Sequence, residues 1–233
     1  MKKLWLIVGA MVFQGAAWAA SVAPPQPQVQ ITAGDGSVRV FRVEDVRMTD
    51  LGDHAVRWDL PGVDFGGVRF SDFSFTYDPD PFIIWAFGAV NLTASPATFT
   101  LTFSTPFSAG PYDLLKSQLA ASIADPSGSV SATGVSHDTA IDGITLLATT
   151  MPDCVGGVAS LACAGASGSV AIATAATGLL ATEAKFTIGL RDTLTSTGKA
   201  ELLASPVPEP ATTALWLAGL LLTGAAVRRK HNC

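Results

Sequence analysis

Along the middle of the chain apolar and polar residues alternate with a period of two, the pattern of half-buried β-strands. The clearest run is 96–107, where Phe99, Leu101 and Phe103 share one side and Thr98, Thr100, Thr102 and Ser104 the other. Residues 67–77 put Phe73, Phe75 and Tyr77 on one face, and 182–190 do the same for Ala184, Phe186, Ile188 and Leu190. Residues 82–90 are apolar on both faces, as expected of a central strand in a two-sheet core. Residues 38–43 alternate apolar and basic positions, with a slip of phase near Phe41 that suggests a bulge. Further strands are expected at 55–60, 129–135, 141–149, 169–174 and 199–204. Residues 115–123 fit either period; the β surroundings favour a strand. Pro61-Gly62 and Asp78-Pro79-Asp80-Pro81 mark turns between these runs. Ten or so short strands separated by Gly, Pro and Asp predict an all-β fold, an antiparallel β-sandwich.

The two ends break this pattern. Met1-Lys2-Lys3 is a short basic region, followed by an apolar core from Leu4 to Val12. Ala17-Trp18-Ala19 then forms a small-x-small cleavage site, so 1–19 reads as a signal-peptide helix and the mature chain begins near Ala20. Residues 20–36, with Pro24, Pro25 and Pro27, read as an extended leader to a β-sandwich ectodomain over 37–205. At the other end, residues 211–227 contain no charge and include Trp216 and a run of leucines. As a helix they would span roughly 25 Å, close to the hydrocarbon thickness of about 30 Å, and so predict a transmembrane helix. Arg228, Arg229 and Lys230 follow as a basic stop-transfer cluster, which favours a cytoplasmic C-terminus. Both ends place the body of the protein beyond the cytoplasmic membrane.

Charge and cysteine content sharpen this reading. Setting aside Lys2, Lys3, Arg228, Arg229, Lys230 and Glu209 leaves nine basic and eighteen acidic residues in the exported part, a net charge of −9. Such a surface argues against nucleic acid as a partner. Cys154 and Cys163 are the exported part's only cysteines, and they flank a Gly-rich stretch. In an oxidising compartment they are expected to form a local disulfide pinning a hairpin or loop.

Between body and span stands Pro208-Glu209-Pro210. The prolines lack amide protons and disfavour helix before them, so a short extended stretch precedes the apolar run. Pro-Glu-Pro, apolar span and basic cluster, in that order, resemble the PEP-CTERM sorting signal of exported bacterial proteins. The resemblance covers residues 206–233, with the motif at 208–210, the helix at 211–227 and the basic tail at 228–233. It implies a partner at the membrane, an exosortase-type protease that reads the motif and removes the tail. It also implies association with extracellular polysaccharide or biofilm matrix. The strand pair formed by 80–91 and 98–103 is similar to one in exported PEP-CTERM proteins.

Chemistry elsewhere is sparse. His54 and His137 each neighbour an aspartate, Asp53 and Asp138, but adjacent residues on a strand face opposite ways. Both histidines are expected in surface loops. No nucleophile elbow, HExxH or Cys–His pairing appears, and neither an enzyme nor a cofactor is expected. Asp72, Asp78 and Asp80 are the calcium candidates, although Pro79 and Pro81 explain the last two as turn residues. Trp58 and Trp85 would either line a sugar-binding face or fill the core, and alternation favours the core. Asn91-Leu92-Thr93 matches a glycosylation sequon without further support. The reading is thus of an exported, surface-associated or secreted structural protein; its alternative is a carbohydrate- or calcium-binding β-sandwich module.

Overall fold

A computed structural model describes residues 26–78, 80–125, 128–173 and 177–204. The signal-peptide helix, with Ala17, Ala19 and Ala20, lies outside the described residues, as do the transmembrane helix, Pro208, Glu209, Pro210, Arg228, Arg229 and Lys230. Among the described residues no helix is long and apolar enough to cross a membrane.

The body is an antiparallel β-sandwich of sixteen strands. In chain order they are β1 (Gln28–Ala33), β2 (Val38–Phe41), β3 (Arg47–Gly52), β4 (Ala55–Asp59), β5 (Val63–Phe65), β6 (Val68–Asp78), β7 (Phe82–Asn91) and β8 (Ala97–Phe107). Then follow β9 (Leu114–Ala124), β10 (Val130–Ile141), β11 (Ile144–Thr150), β12 (Cys154–Gly156), β13 (Ser160–Ala162), β14 (Ala166–Ala171), β15 (Gly178–Ile188) and β16 (Thr193–Leu203). One sheet runs β11-β10-β15-β8-β1-β2, with β12 also on β10. The other runs β13-β9-β16-β7-β6-β4-β3, with β14 on β9 and β5 on β6.

The inner faces meet in an aromatic core. Trp85 of one sheet stacks on Phe103 of the other, with ring centroids 5.2 Å apart and planes within 5°. Phe70 meets Phe99 edge-on at 5.1 Å, and Phe99 stacks on Phe186 at 5.5 Å. Each such buried ring contributes about 1.5–3 kcal/mol relative to exposure. The alternation in β8 and in the aromatic half of β6 therefore has the orientation expected from sequence. A bulge between Ser71 and Ser74, with Asp72 at φ +48°, lets Phe70 and Phe73 face inward although they are three apart.

Several expectations need correction. Residues 28–33 are not leader: they form β1, hydrogen-bonded between β2 and β8, with Val29, Ile31 and Ala33 buried. The sandwich thus starts before residue 37, because Gln28-Val29-Gln30-Ile31-Thr32 alternates as a strand once past the prolines. β2 ends at Phe41 and has the opposite phase, with Phe41 buried and Val38 52% exposed. Its register with β1 is regular, so the slip of phase is not a bulge; the chain leaves the strand for a 3-10 turn at Val43–Asp45. Residues 129–135 and 141–149 are not two separate strands. β10 runs unbroken from Val130 to Ile141 across a bulge between Thr133 and Ser136, and Asp142 and Gly143 turn the chain into β11. Both turn residues have positive φ, 50° and 79°, as a two-residue hairpin loop requires. β16 begins six residues earlier than expected, at Thr193, and Leu190 is exposed in the turn before it.

Candidate functional site

His137 is not in a surface loop. β10 carries it into the space between the sheets, where it is 0% exposed. One ring nitrogen, Nδ1, lies 2.8 Å from Ser117 Oγ on β9 of the opposite sheet. The other, Nε2, meets Thr182 Oγ1 on β15, and the Trp85 indole meets the ring edge-on at 5.8 Å. A neutral imidazole has one donor and one acceptor, and hydroxyls supply either complement. Burial accordingly pushes the His137 pKa down to about 4. A serine beside a histidine invites a nucleophile–base reading. Here Ser117 is itself buried, and Thr182 rather than a carboxylate takes the second nitrogen. The trio is a hydrogen-bonded tie between sheets, with no opening for a substrate. Asp138 faces the other way on the same strand, as adjacency predicts. His54 sits in the β3–β4 turn with φ +69°, next to Asp53 at +50°.

The calcium candidates do not come together. Asp72 stands on the β6 bulge, at the far end of that strand from Asp78. Asp78 Oδ1 accepts the amide of Asp80 at 2.7 Å, which is a turn-forming bond. Asp80 Oδ1 accepts the Tyr112 hydroxyl at 3.0 Å; burial and this carboxylate push the phenol up to about 12. Among the described residues no group of three or more His, Cys, Asp and Glu side chains is placed to hold a metal. Trp58 and Trp85 are fully buried and belong to the core. Asn91 of the sequon is buried too, and its amide donates to the carbonyls of Ser95 at 2.7 Å and Gly189 at 2.8 Å.

Cys154 and Cys163 are joined by a disulfide with Cα atoms 5.3 Å apart. It does more than pin a loop. Cys154 opens β12, which pairs with β10 in one sheet; Cys163 directly follows β13, which pairs with β9 in the other. The bond therefore clasps the two sheets where the chain crosses between them.

The outer face of the nine-stranded sheet is concave over its central strands. Two adjoining troughs of about 390 and 420 Å³ share Ala120 and Thr197. Their floor is small, with Ala86, Gly88 and Ala120 on neighbouring strands. Their polar groups include Gln118 and Lys199 at one end, Thr195 and Ser122 at the other, and Asp72 at the rim. Ser122 Oγ and Thr195 Oγ1 are hydrogen-bonded at 2.6 Å, and Lys199 pairs with Glu201 at 2.5 Å. Opposite charges at the two ends and hydroxyls between them suit a neutral, polyhydroxylated occupant better than an ionic one.

Fold and sequence together define an exported β-sandwich protein with a C-terminal address. Residues 206–230 match the PEP-CTERM protein-sorting motif, so the chain carries the signal that an exosortase-type system reads at the membrane. No curated protein matches the chain. Among solved structures, one titled "Structure of TmCBM61 in complex with beta-1,4-galactotriose at 1.4 A resolution" aligns over 66% of this chain and 90% of its own, at 8% identity and a TM-score of 0.30. A likeness at that level bears on neither the ligand nor the role of this chain.

Proposed function

We propose that this is a non-enzymatic structural protein, displayed at the cell surface or released from it after an exosortase-type protease removes its tail. The observation that carries this reading is the spacing between fold and address. β16, a central strand, ends at Leu203, and the sorting motif begins at residue 206. Only Ala204 and Ser205 separate them. Cleavage near Pro208-Glu209-Pro210 therefore leaves every strand of the sandwich in place. The chain's own chemistry in this reading is to be a substrate. Intact mass of the protein from cells and from medium, in a host with exosortase, tests it. A mature species ending near the motif supports the reading, and a chain that keeps its whole tail in every fraction sinks it.

The paired troughs favour a second, compatible reading, in which the displayed sandwich binds matrix polysaccharide. Lined by hydroxyls, an amide and small side chains, they suit a glycan strand lying along β16. Affinity electrophoresis through neutral polysaccharide would detect it as a retardation that Thr197→Trp, which fills the shared centre, removes. Equal mobility of both proteins in every polysaccharide would count against it.

A further inference from the structure

The end of the core away from Leu203 is closed by a row of three polar side chains. β9 and β16 pair Ala124 with Thr193, and β16 and β7 pair Thr193 with Val90. The next residue on each strand is Asp125, Asp192 and Asn91, so these three lie side by side on the inner face. The Asn91 amide donates to the Asp192 carbonyl at 3.0 Å, which carries the ladder into this row. All three side chains are buried, Asn91 and Asp192 at 1% exposure and Asp125 at 4%. Asn91 is fully engaged, since its Oδ1 also accepts the Thr93 amide at 2.9 Å. Asp192 is not. Its Oδ2 accepts the Ser131 amide from the other sheet at 2.7 Å, while its Oδ1 is buried without a hydrogen-bond partner.

Directly opposite positions hold Cβ atoms about 5 Å apart, where like charges destabilise. Burial adds the cost of desolvating each carboxylate. Burial first, and then the charge of Asp125, push the Asp192 pKa up; the Ser131 amide works against them. A buried oxygen with no donor beside a second carboxylate is what a cation site presents when its ion is absent from the coordinates.

We propose that Asp125 and Asp192 together hold a divalent cation of the calcium class at this pole. Hard cations take carboxylate and carbonyl oxygens, and neither sulfur nor imidazole is needed. With two carboxylates, main-chain carbonyls and water complete the shell. So few charged ligands place the affinity in the range of extracellular calcium modules, roughly 0.1–1 mM. The ion would neutralise the facing pair and tie the ends of β9 and β16 to β10 through Ser131. The site is independent of the troughs and of tail removal.

The test uses the full chain in detergent, freed of metal by chelator. Calorimetric titration with calcium chloride alone should show one equivalent bound. Thermal unfolding should rise by about 5 °C or more at calcium well above the dissociation constant, and fall back on adding EGTA. Asp192→Asn and Asp125→Asn should each abolish the shift, whereas Asp72→Asn and Asp80→Asn should respond like the wild type. If both site variants fail to fold, wild-type stoichiometry and EGTA reversal decide the matter. A wild type that ignores calcium overturns the proposal. So does one stabilised at the pole only by acidification, since that is the signature of two carboxyls sharing a proton.

Discussion

At the scale of single residues, His137 makes the fold sensitive to acid. In the folded chain it titrates at about 4, against an ordinary value of 6.5. The unfolded chain therefore takes up a proton first as pH falls, and protonation favours unfolding. This group's contribution is fully present above 6.5 and is lost between 6.5 and about 4, a loss of about 3 kcal/mol. Urea unfolding at pH 7 and at pH 4 checks it. The wild type should lose about 3 kcal/mol more between those two conditions than His137→Gln, which cannot charge. Equal losses would show that the imidazole is hydrated in the native state. The two nitrogens bonded to Ser117 and Thr182 explain why the ring is tolerated at all, since a buried imidazole without partners would leave both atoms unsatisfied.

Among the elements, the short pair β12 and β13 depends most on a covalent bond. Each has three residues, and each lies on a different sheet. Closing a ring of about nine residues stabilises by about 2.5 kcal/mol on the chain-entropy model. Reduction, or Cys154→Ser with Cys163→Ser, should lower stability by up to that amount. Amide exchange should quicken first in β12 and β13 while β8 and β15 stay protected; uniform acceleration would mean the bond supports the whole sandwich. The sequence pointed to this pairing but not to its place, because nothing local says that the chain changes sheets after Cys154. The same limit explains other differences. Long inward alternations such as Phe99-Thr100-Leu101-Thr102-Phe103 were legible, as they report burial directly. Edge strands such as β3, exposed at every residue, carry no such pattern. β10 was misread because the bulge at Gly134 changes the phase in mid-strand; from Val135 onward, His137, Thr139 and Ile141 alternate inward without a break. Asp125 and Asp192 were invisible as a pair, since only the β9–β16 register makes them neighbours.

For the whole molecule, the order of strands in the sheets decides what the C-terminal end can lose. β16 is last in sequence but central in space, with β9 on one side and β7 on the other. Its eleven residues bury Leu194, Ala200 and Leu202 and hold the two halves of the nine-stranded sheet together. A chain ending at Arg191 should therefore fail to fold, because β9, β13 and β14 would be cut off from β7 and β6, with both new edges unpaired. A chain ending at Ser205 keeps every one of these bonds. Its unfolding free energy should lie within about 0.5 kcal/mol of the full chain's, and it should leave the cell instead of staying with the membrane. Circular dichroism and urea titration of the two truncations separate the cases. If the longer one were as unstable as the shorter, residues beyond Ser205 would have to pack on the sandwich, and removal of the tail would then unfold the protein instead of releasing it.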